Sequence, residues 1–191
     1  MEHWSGRGKP SARATASAVR VRRPHRYWFQ DDGRMPNNPH LPLVIYRGAV
    51  RCADAADPAA LFEELFNLNG WHDSWRNGIY DYPHYHSGTH EVLGIARGRA
   101  AVRFGGELLG KDIDLKAGDV AIVPAGTGHQ RLTATKDFLV VGAYPSAGEY
   151  DECHGSEQEH ASAVNSIARV PAPESDPLYG RNGPLVELWI N

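Results

Sequence analysis

The stretch HYHSGTHE, residues 84–91, decides how the rest of the chain is interpreted. Side chains on a β-strand alternate between the two faces of the sheet, so His84 and His86 are predicted to project from the same face. The carboxylate of Glu91 follows after a short turn, and His129, further along the chain, could supply a fourth ligand. Imidazole and carboxylate groups together suit a divalent first-row transition metal rather than calcium. The stretch therefore predicts a metal site.

The sequence on either side of this stretch has the pattern of a β-rich domain. From residue 79 to residue 144, short runs rich in β-branched and aromatic residues are separated by glycines at close intervals. Many short strands with turn residues between them are typical of an all-β sandwich or barrel. The absence of intervening helical patterns argues against a parallel α/β sheet. We therefore predict an all-β fold with its core barrel at about residues 78–145.

Helices and a last strand are expected outside the barrel. Residues 57–70 carry the best helix pattern, because Asp57 can cap the free amide groups and Pro58 suits the first turn. Residues 156–168 begin with a serine and a glutamate at the spacing of a capping box, which predicts a short helix. Residues 185–190 (LVELWI) are predicted to form a last strand that pairs with an early one.

The first 26 residues differ in composition from the remainder. They hold seven basic residues against one acidic residue, a net +6 that leaves −9 for the rest of a chain whose formal net charge is −3. Because this segment has no apolar face, we expect a disordered tail; the alternative is that the Arg-rich segment directs import into an organelle. The remaining residues, 27–191, are predicted to form a single domain.

Composition excludes several classes of function. The net charge of −3 gives no reason to expect nucleic-acid binding. The longest apolar stretch, near residues 138–144, is far shorter than the roughly 20 residues of a membrane helix. The two cysteines, Cys52 and Cys153, form no CxxC pair and no disulfide framework. We therefore expect a cytoplasmic protein with no nucleic-acid or membrane partner.

The spacing of the residues around the histidine pair is more specific than the pair itself, since ten histidines can cluster by chance. Two groups of residues resemble the motifs of the cupin superfamily, which read G(x)5HxH(x)3-4E(x)6G and G(x)5PxG(x)2H(x)3N. Thr133 replaces the final Asn of the second motif, a position that does not bind metal, so the departure leaves the predicted site intact. The matching residues are Gly78, His84, His86, Glu91 and Gly98 in the first motif, and Gly118, Pro124, Gly126 and His129 in the second.

The resemblance implies a small double-stranded β-helix, or jelly-roll, barrel with a few peripheral helices. It implies one divalent transition metal inside the barrel, with iron, manganese, nickel, zinc and copper all open. It also suggests a homodimer formed by sheet pairing. Longer segments over residues 27–190 are similar to an uncharacterised single-cupin family found mainly in bacteria, which implies no particular reaction. The metal ligands that the resemblance implies are His84, His86, Glu91 and His129.

One ligand position is open between His90 and Glu91, because the first motif allows three or four residues before the carboxylate. Adjacent residues on a strand face opposite ways, so the two side chains are not expected to bind the metal together. We favour Glu91, since a carboxylate is the commoner residue type at this position. With His90 in its place, the site would consist of histidines alone.

Three further residues are candidates for contact with a substrate. Tyr80 and Tyr82 share the parity of the histidine pair, so on a regular strand both point into the barrel, where a hydroxyl could act as a general acid. The alternative is that both tyrosines are wall residues, and a bulge before the histidines would reverse their faces. Arg131 shares the parity of His129 and could bind a substrate carboxylate, unless it faces solvent.

These observations favour a metal-dependent enzyme that acts on a small polar molecule. Three histidines and one carboxylate leave an open position on the metal, which is what separates catalytic from structural sites. Oxygenase chemistry and lyase or isomerase chemistry are both compatible with such a site. The alternative is a non-catalytic binding or sensing module in which the metal anchors a small ligand. A fold does not decide between these functions, because one fold carries many activities.

Overall fold

The computed structural model describes residues 12–190, and within them the chain forms nine strands and four helices. All of the strand pairs are antiparallel, which confirms the predicted all-β class with a few peripheral helices. The strands are β1 (His25–Tyr27), β2 (Leu43–Tyr46), β3 (Trp71–Asn77), β4 (Glu91–Arg97), β5 (Arg99–Phe104), β6 (Lys111–Lys116), β7 (Val120–Val123), β8 (His129–Ala134) and β9 (Leu139–Pro145). The helices are α1 (Ala12–Ala18), α2 (Pro58–Leu68), α3 (Glu157–Ile167) and α4 (Pro184–Ile190).

The strands form two sheets that share one apolar core. The larger sheet has the order β1-β2-β7-β4-β9-β3, and the smaller sheet has the order β6-β5-β8. Alternate residues of both sheets meet in a single buried cluster that includes Ile45, Leu93, Phe104, Leu115 and Val123. Strands of the smaller sheet therefore alternate buried and exposed residues, as β6 does, because only one of their faces is covered.

The larger sheet is buried on its other face as well. There, a second cluster joins Tyr46 and Val92 of the sheet to Phe62 of α2 and Trp189 of α4. Burial on both faces explains why β2 and β7 consist of continuous apolar residues rather than an alternating pattern. None of the helices in residues 12–190 is long and apolar enough to cross a lipid bilayer.

Both helices predicted from capping patterns are confirmed. Asp57 caps α2, since its side chain accepts hydrogen bonds from the backbone of the first turn at 3.0 and 3.2 Å. Ser156 and Glu159 form a reciprocal capping box at the start of α3. A cap can be recognised in sequence because it satisfies amide groups that no residue of the helix itself can reach.

Residues 185–190 form helix α4, so the prediction of a last strand is wrong. Leu185 and Trp189 are buried at helical spacing, and Pro184 stands at the first helical position. The side chain of Asp176 accepts a hydrogen bond from the backbone N–H of Leu185 at 3.1 Å and so satisfies one free amide of the first turn. Trp189 donates to the carbonyl of Pro42 at 3.1 Å. The five apolar residues of LVELWI fit either a strand or a helix, and the glycine and proline at 183–184 are the pattern that favours the helix.

Ordered structure begins before residue 27, contrary to the prediction of a disordered tail over residues 1–26. Helix α1 lies within that segment, and strand β1 begins in it and ends at Tyr27. The backbone of Arg20 donates to Ala49 at 2.8 Å, and β1 pairs with β2 in the larger sheet. Strand β1 is thus ordered by its pairing with the buried strand β2, and the composition of residues 1–26 does not indicate this pairing. The remainder of the predicted tail, residues 1–11, lies outside the described residues.

Candidate metal centre

The predicted metal ligands His84 and His86 lie in a segment that is held from both sides. His84 exchanges two backbone hydrogen bonds with His129, at 3.2 and 2.9 Å, which brings the start of β8 next to the histidine pair. Tyr85, between the two histidines, exchanges two backbone bonds with Cys153, at 3.0 and 2.9 Å, and its ring is fully buried in a separate apolar cluster. Alternation of side chains therefore places His84 and His86 on one side and Tyr85 on the other.

The structure brings three of the predicted ligands together. One nitrogen from each of His84, His86 and His129 lies within 4.8 Å of the other two, and all three side chains are buried. Each ring turns its Nδ1 toward a backbone carbonyl, which makes Nδ1 the protonated donor and leaves the lone pair on Nε2. The acceptors are Tyr82 for His84, Asp151 for His86 and Thr127 for His129.

Glu91, at the start of β4, places a carboxylate beside this cluster. Its Oε2 lies 3.3 Å from Nε2 of His129 and 3.6 Å from Nε2 of His86. That oxygen is buried and has no hydrogen-bond partner among the described residues. A buried carboxylate oxygen without a partner is costly, and a cation held by the three imidazoles would remove the cost. The residues present therefore fit a metal ion.

The pKa values of the cluster follow from burial and from the carboxylate. Burial lowers the pKa of His84 to about 3, and the neighbouring His129 adds to the effect. Burial alone would raise the pKa of Glu91, but His86 and His129 hold it well below its usual range. Burial alone would lower the pKa of His86, but Glu91 raises it to about 9. The site thus contains an ionised carboxylate and, in His84, an imidazole that is neutral at neutral pH.

His90, the alternative to Glu91, points to the opposite side of β4. Its ring is fully buried, its Nδ1 accepts a hydrogen bond from the backbone of Ala125 at 2.9 Å, and its centroid lies 4.7 Å from that of Trp189. Adjacent strand residues face opposite ways, so only one of the two can reach the histidine cluster. The geometry supports the choice of Glu91.

Tyr80 and Tyr82 do not lie on a regular strand, so the parity argument for them does not hold. Residues 79–83 form no strand in the structure. The two rings stack on each other at 4.8 Å and are 39% and 37% exposed. Tyr80 nevertheless lines the cavity at the cluster, with its ring 5.1 Å from that of His84. Tyr82 donates to Glu152 at 3.1 Å. A catalytic role for either tyrosine stays a prediction.

Arg131 supports the segment that precedes the histidine pair. Its Nε donates to the carbonyl of Ile79 at 2.9 Å, and its Nη2 lies 3.7 Å from a carboxylate oxygen of Asp81. Arg131 is not among the described residues that line the cavity. The structure therefore places its guanidinium against the chain rather than toward a bound substrate, and its catalytic role stays a prediction.

A cavity of about 750 Å³ opens onto the histidine cluster. Its walls include two aromatic residues that the sequence patterns did not single out, Tyr144 on β9 and Tyr150 in the loop after β9. Trp75 on β3 lines the same cavity and donates from its indole N–H to the hydroxyl of Tyr144 at 2.9 Å. The rings of Tyr144 and Tyr150 meet at 5.4 Å. These tyrosines lie well downstream of the second motif, so spacing around the histidines could not have found them.

Comparison with known proteins supplies a family. Residues 76–140 match the family model that describes the cupin domain. The chain is 42% identical, over 164 residues, to the uncharacterized protein YjlB of Bacillus subtilis (strain 168), an alignment that covers 86% of this chain and 95% of YjlB.

Solved structures with a similar fold are much more distant in sequence. A mutant of oxalate decarboxylase OxdC from Bacillus subtilis is 20% identical, with a TM-score of 0.37, over 59% of this chain and 27% of that one. Acireductone dioxygenase from Bacillus anthracis, with a cadmium ion in its active centre, is 17% identical, with a TM-score of 0.36, over 47% of this chain and 62% of that one. The chain thus spans about a quarter of the decarboxylase, and these likenesses concern the fold alone.

Proposed function

The chain belongs to the cupin family, and on that premise we propose that it is a metal-dependent enzyme that acts on a small molecule. The observation that carries this proposal is that one nitrogen from each of three imidazoles converges beside a buried oxygen of Glu91 that has no hydrogen-bond partner among the described residues. This centre opens onto a cavity large enough for a small-molecule substrate. We propose one of two reaction classes for it, either oxygenase chemistry or lyase or isomerase chemistry.

The donor set fits a divalent transition metal, namely iron, manganese, nickel, zinc or copper. His84, His86, His129 and Glu91 would hold it, with coordination left open toward the cavity. When bound, such a metal would polarise a substrate oxygen or activate water or dioxygen. The backbone carbonyls that accept from the three Nδ1 atoms fix the orientation of the rings.

Tyr144 lines the cavity beside Glu91 and would donate a hydrogen bond to a bound substrate. Burial, followed by the nearby charge of Glu91, holds the pKa of its phenol well above the usual range, so the hydroxyl stays protonated. The indole of Trp75 donates to the phenolic oxygen, and the phenolic O–H lies within reach of the Glu91 carboxylate. Tyr80, at the cavity wall beside His84, would position the substrate.

Elemental analysis of the purified protein tests the proposal. We expect about one equivalent of a transition metal in the wild type, before or after reconstitution, and little in a His84→Ala/His86→Ala variant. A His25→Ala/His40→Ala variant is the matched control, because it also removes two histidines, both exposed and remote from the cluster. No metal in the wild type after reconstitution with each candidate ion would refute the proposal.

A turnover screen then separates an enzyme from a binding module. Metal-dependent consumption of a candidate substrate, lost in the double variant, supports the enzyme. Saturable binding without consumption would instead support the non-catalytic module. The homodimer, the small-molecule partner and the lack of a nucleic-acid partner stay predictions, and sedimentation of the purified protein tests the first of them.

A further inference from the structure

We propose that the cavity accepts a flat aromatic molecule that is uncharged away from its metal-binding end, and that it rejects molecules with a second anionic group, such as dicarboxylates and phosphate esters. This inference rests on the proposed function for the metal-binding end of the substrate. The preference for an uncharged aromatic end rests on the residues that line the walls of the cavity.

The walls present aromatic rings around the route to the histidine cluster. The ring of Tyr150 lies 5.0 Å from that of His86, and the ring of Tyr80 lies 5.1 Å from that of His84. Both tyrosines are well exposed, at 55% and 39%, so each offers an uncovered ring face or edge to an incoming molecule. Aromatic pairs prefer offset-stacked or edge-to-face arrangements, which a flat ring inserted between such side chains can adopt.

Below this rim the wall continues with aromatic and aliphatic groups. Trp75 packs against Gly142 of β9, where any side chain would collide with the indole ring. Its N–H is already engaged by the hydroxyl of Tyr144. Leu93 of β4 lines the cavity beyond them. A substrate ring would therefore be enclosed by apolar surface, with its polar end directed at the histidine cluster.

Away from the histidine cluster, the described lining of the cavity offers no free lysine or arginine to a second anionic group. Among the described residues that line it, the one arginine or lysine is Arg76. The Nε and Nη2 of Arg76 both donate to the carboxylate of Glu63, at 2.7 Å each, and its Nη1 donates to Asp57 at 3.0 Å. All three nitrogens of this guanidinium are thus committed to carboxylates on or next to α2, and Arg76 brings no net positive charge to the cavity.

Away from the histidines and the metal that they would hold, the remaining charged residues of the described lining are negative. Asp73 stands at the cavity rim, in a left-handed backbone conformation with φ +53° at the irregularity of β3, and Glu91 lies at the metal centre. A second carboxylate or a phosphate on the substrate would lose its water among apolar rings and these acids without gaining a partner. Burying an unpaired charge is strongly unfavourable, so such molecules are excluded.

The experiment compares two probes that differ only in charge at the end remote from the metal. We would titrate metal-loaded protein with 3,4-dihydroxybenzamide and with 3,4-dihydroxybenzoate, and follow binding by calorimetry and by quenching of tryptophan fluorescence. Both probes carry the same pair of metal-binding hydroxyls and have nearly the same shape. We expect the amide to bind at least about tenfold more tightly, as an unpaired buried charge demands. Equal or tighter binding of the carboxylate would overturn the inference.

Variants of Tyr150 test the aromatic wall. Because this side chain is exposed, its replacement is expected to leave the melting temperature unchanged. Tyr150→Phe should keep the affinity for the amide probe, and Tyr150→Leu should weaken it by about five- to tenfold, since the ring contact is lost. Tyr150→Arg should reduce the difference in affinity between the two probes, because it brings a cation to the rim. Wild-type affinity for the amide in Tyr150→Leu would contradict the proposal.

Metal-free protein separates this inference from the proposed function. On chelator-treated protein, 4-carbamoylbenzoate and terephthalate would be compared by the same fluorescence readout, because both carry one carboxylate for the histidine cluster and they differ in the charge of the opposite group. A preference for 4-carbamoylbenzoate supports the charge assignment even if no metal ever binds, a result that would refute the proposed function alone. A preference for terephthalate overturns the substrate class even if the metal centre is confirmed.

Discussion

At the scale of single residues, Glu91 shows how burial and charge define the centre. Its carboxylate is ionised although it is buried, because two imidazoles face it. A buried ionised group with one unpartnered oxygen is not a stabilising feature in itself. A buried glutamate at this position is explained by a cation that it can bind. The sequence motif therefore predicts it, whereas general rules on burial predict an apolar residue there.

Replacement of Glu91 by glutamine should weaken metal binding by at least about tenfold, since the side chain keeps its size but loses its charge. Competition with a chelating dye measures the change. Glu149→Gln is the control, because Glu149 is exposed and is not one of the predicted ligands. Unchanged metal affinity in Glu91→Gln would show that Glu91 is not a ligand.

Metal affinity should fall as the pH is lowered. An imidazole donates its lone pair to a metal only when it is neutral, so protons compete with the metal for the same nitrogen. We therefore expect the affinity for the metal to rise from pH 6 to pH 8. The same chelator competition at pH 6, 7 and 8 measures it, and an affinity that is flat over this range would argue against imidazole ligands.

At the scale of elements, α2 owes its position to one glycine as much as to its cap. Phe62 of α2 packs so closely on β4 that a Cβ at Gly94 would lie 2.5 Å from its ring. The helix itself was predictable from Asp57, Pro58 and the spacing of its apolar residues. Its docking site was not, because the fit between a ring and a glycine depends on residues far apart in the chain.

Gly94→Ala should destabilise the fold by about 1–3 kcal/mol, since the added methyl group must displace Phe62. Urea denaturation measures the loss. Gly78→Ala is the matched control: a Cβ there meets no atom within 4 Å and the backbone is not left-handed, so the change should stay within about 0.5 kcal/mol. Equal stability of the two variants would contradict the described packing.

Two of the segments that differ from the sequence predictions share a cause. Helix α4 and the irregular segment 79–83 both contain patterns that fit two structures, since the five apolar residues of LVELWI suit a strand or a helix and alternate tyrosines suit a strand or a loop. In α4 the free amide of Leu185 is satisfied by Asp176, which is nine residues away in sequence. Tertiary partners of this kind decide between local alternatives, and sequence patterns do not display them.

At the scale of the whole molecule, the metal centre ties together segments that are distant in the chain. His84 and His86 precede β4, Glu91 begins it, and His129 begins β8 in the other sheet. The spacing of the motifs predicts which residues these are and that they lie inside a barrel. The aromatic walls were beyond prediction, because Trp75, Tyr144 and Tyr150 meet only once the sheet has formed.

Metal loading should therefore raise the stability of the whole domain. A metal that binds only the folded chain, at a hundred times its Kd, adds about 2.7 kcal/mol, which corresponds to a rise of about 5–10 °C in Tm for a domain of this size. Differential scanning calorimetry with added metal and with chelator measures it. The His84→Ala/His86→Ala variant should show no such rise, and an equal rise in that variant would place the metal elsewhere.

The loop after β9 has a consequence for kinetics. The carbonyl of Asp151 fixes the orientation of His86, and the next residue back, Tyr150, forms part of the cavity wall. Two adjacent residues of this loop therefore orient a predicted metal ligand and line the cavity that a substrate would enter. A molecule held against Tyr150 should therefore slow the release of a metal from the site.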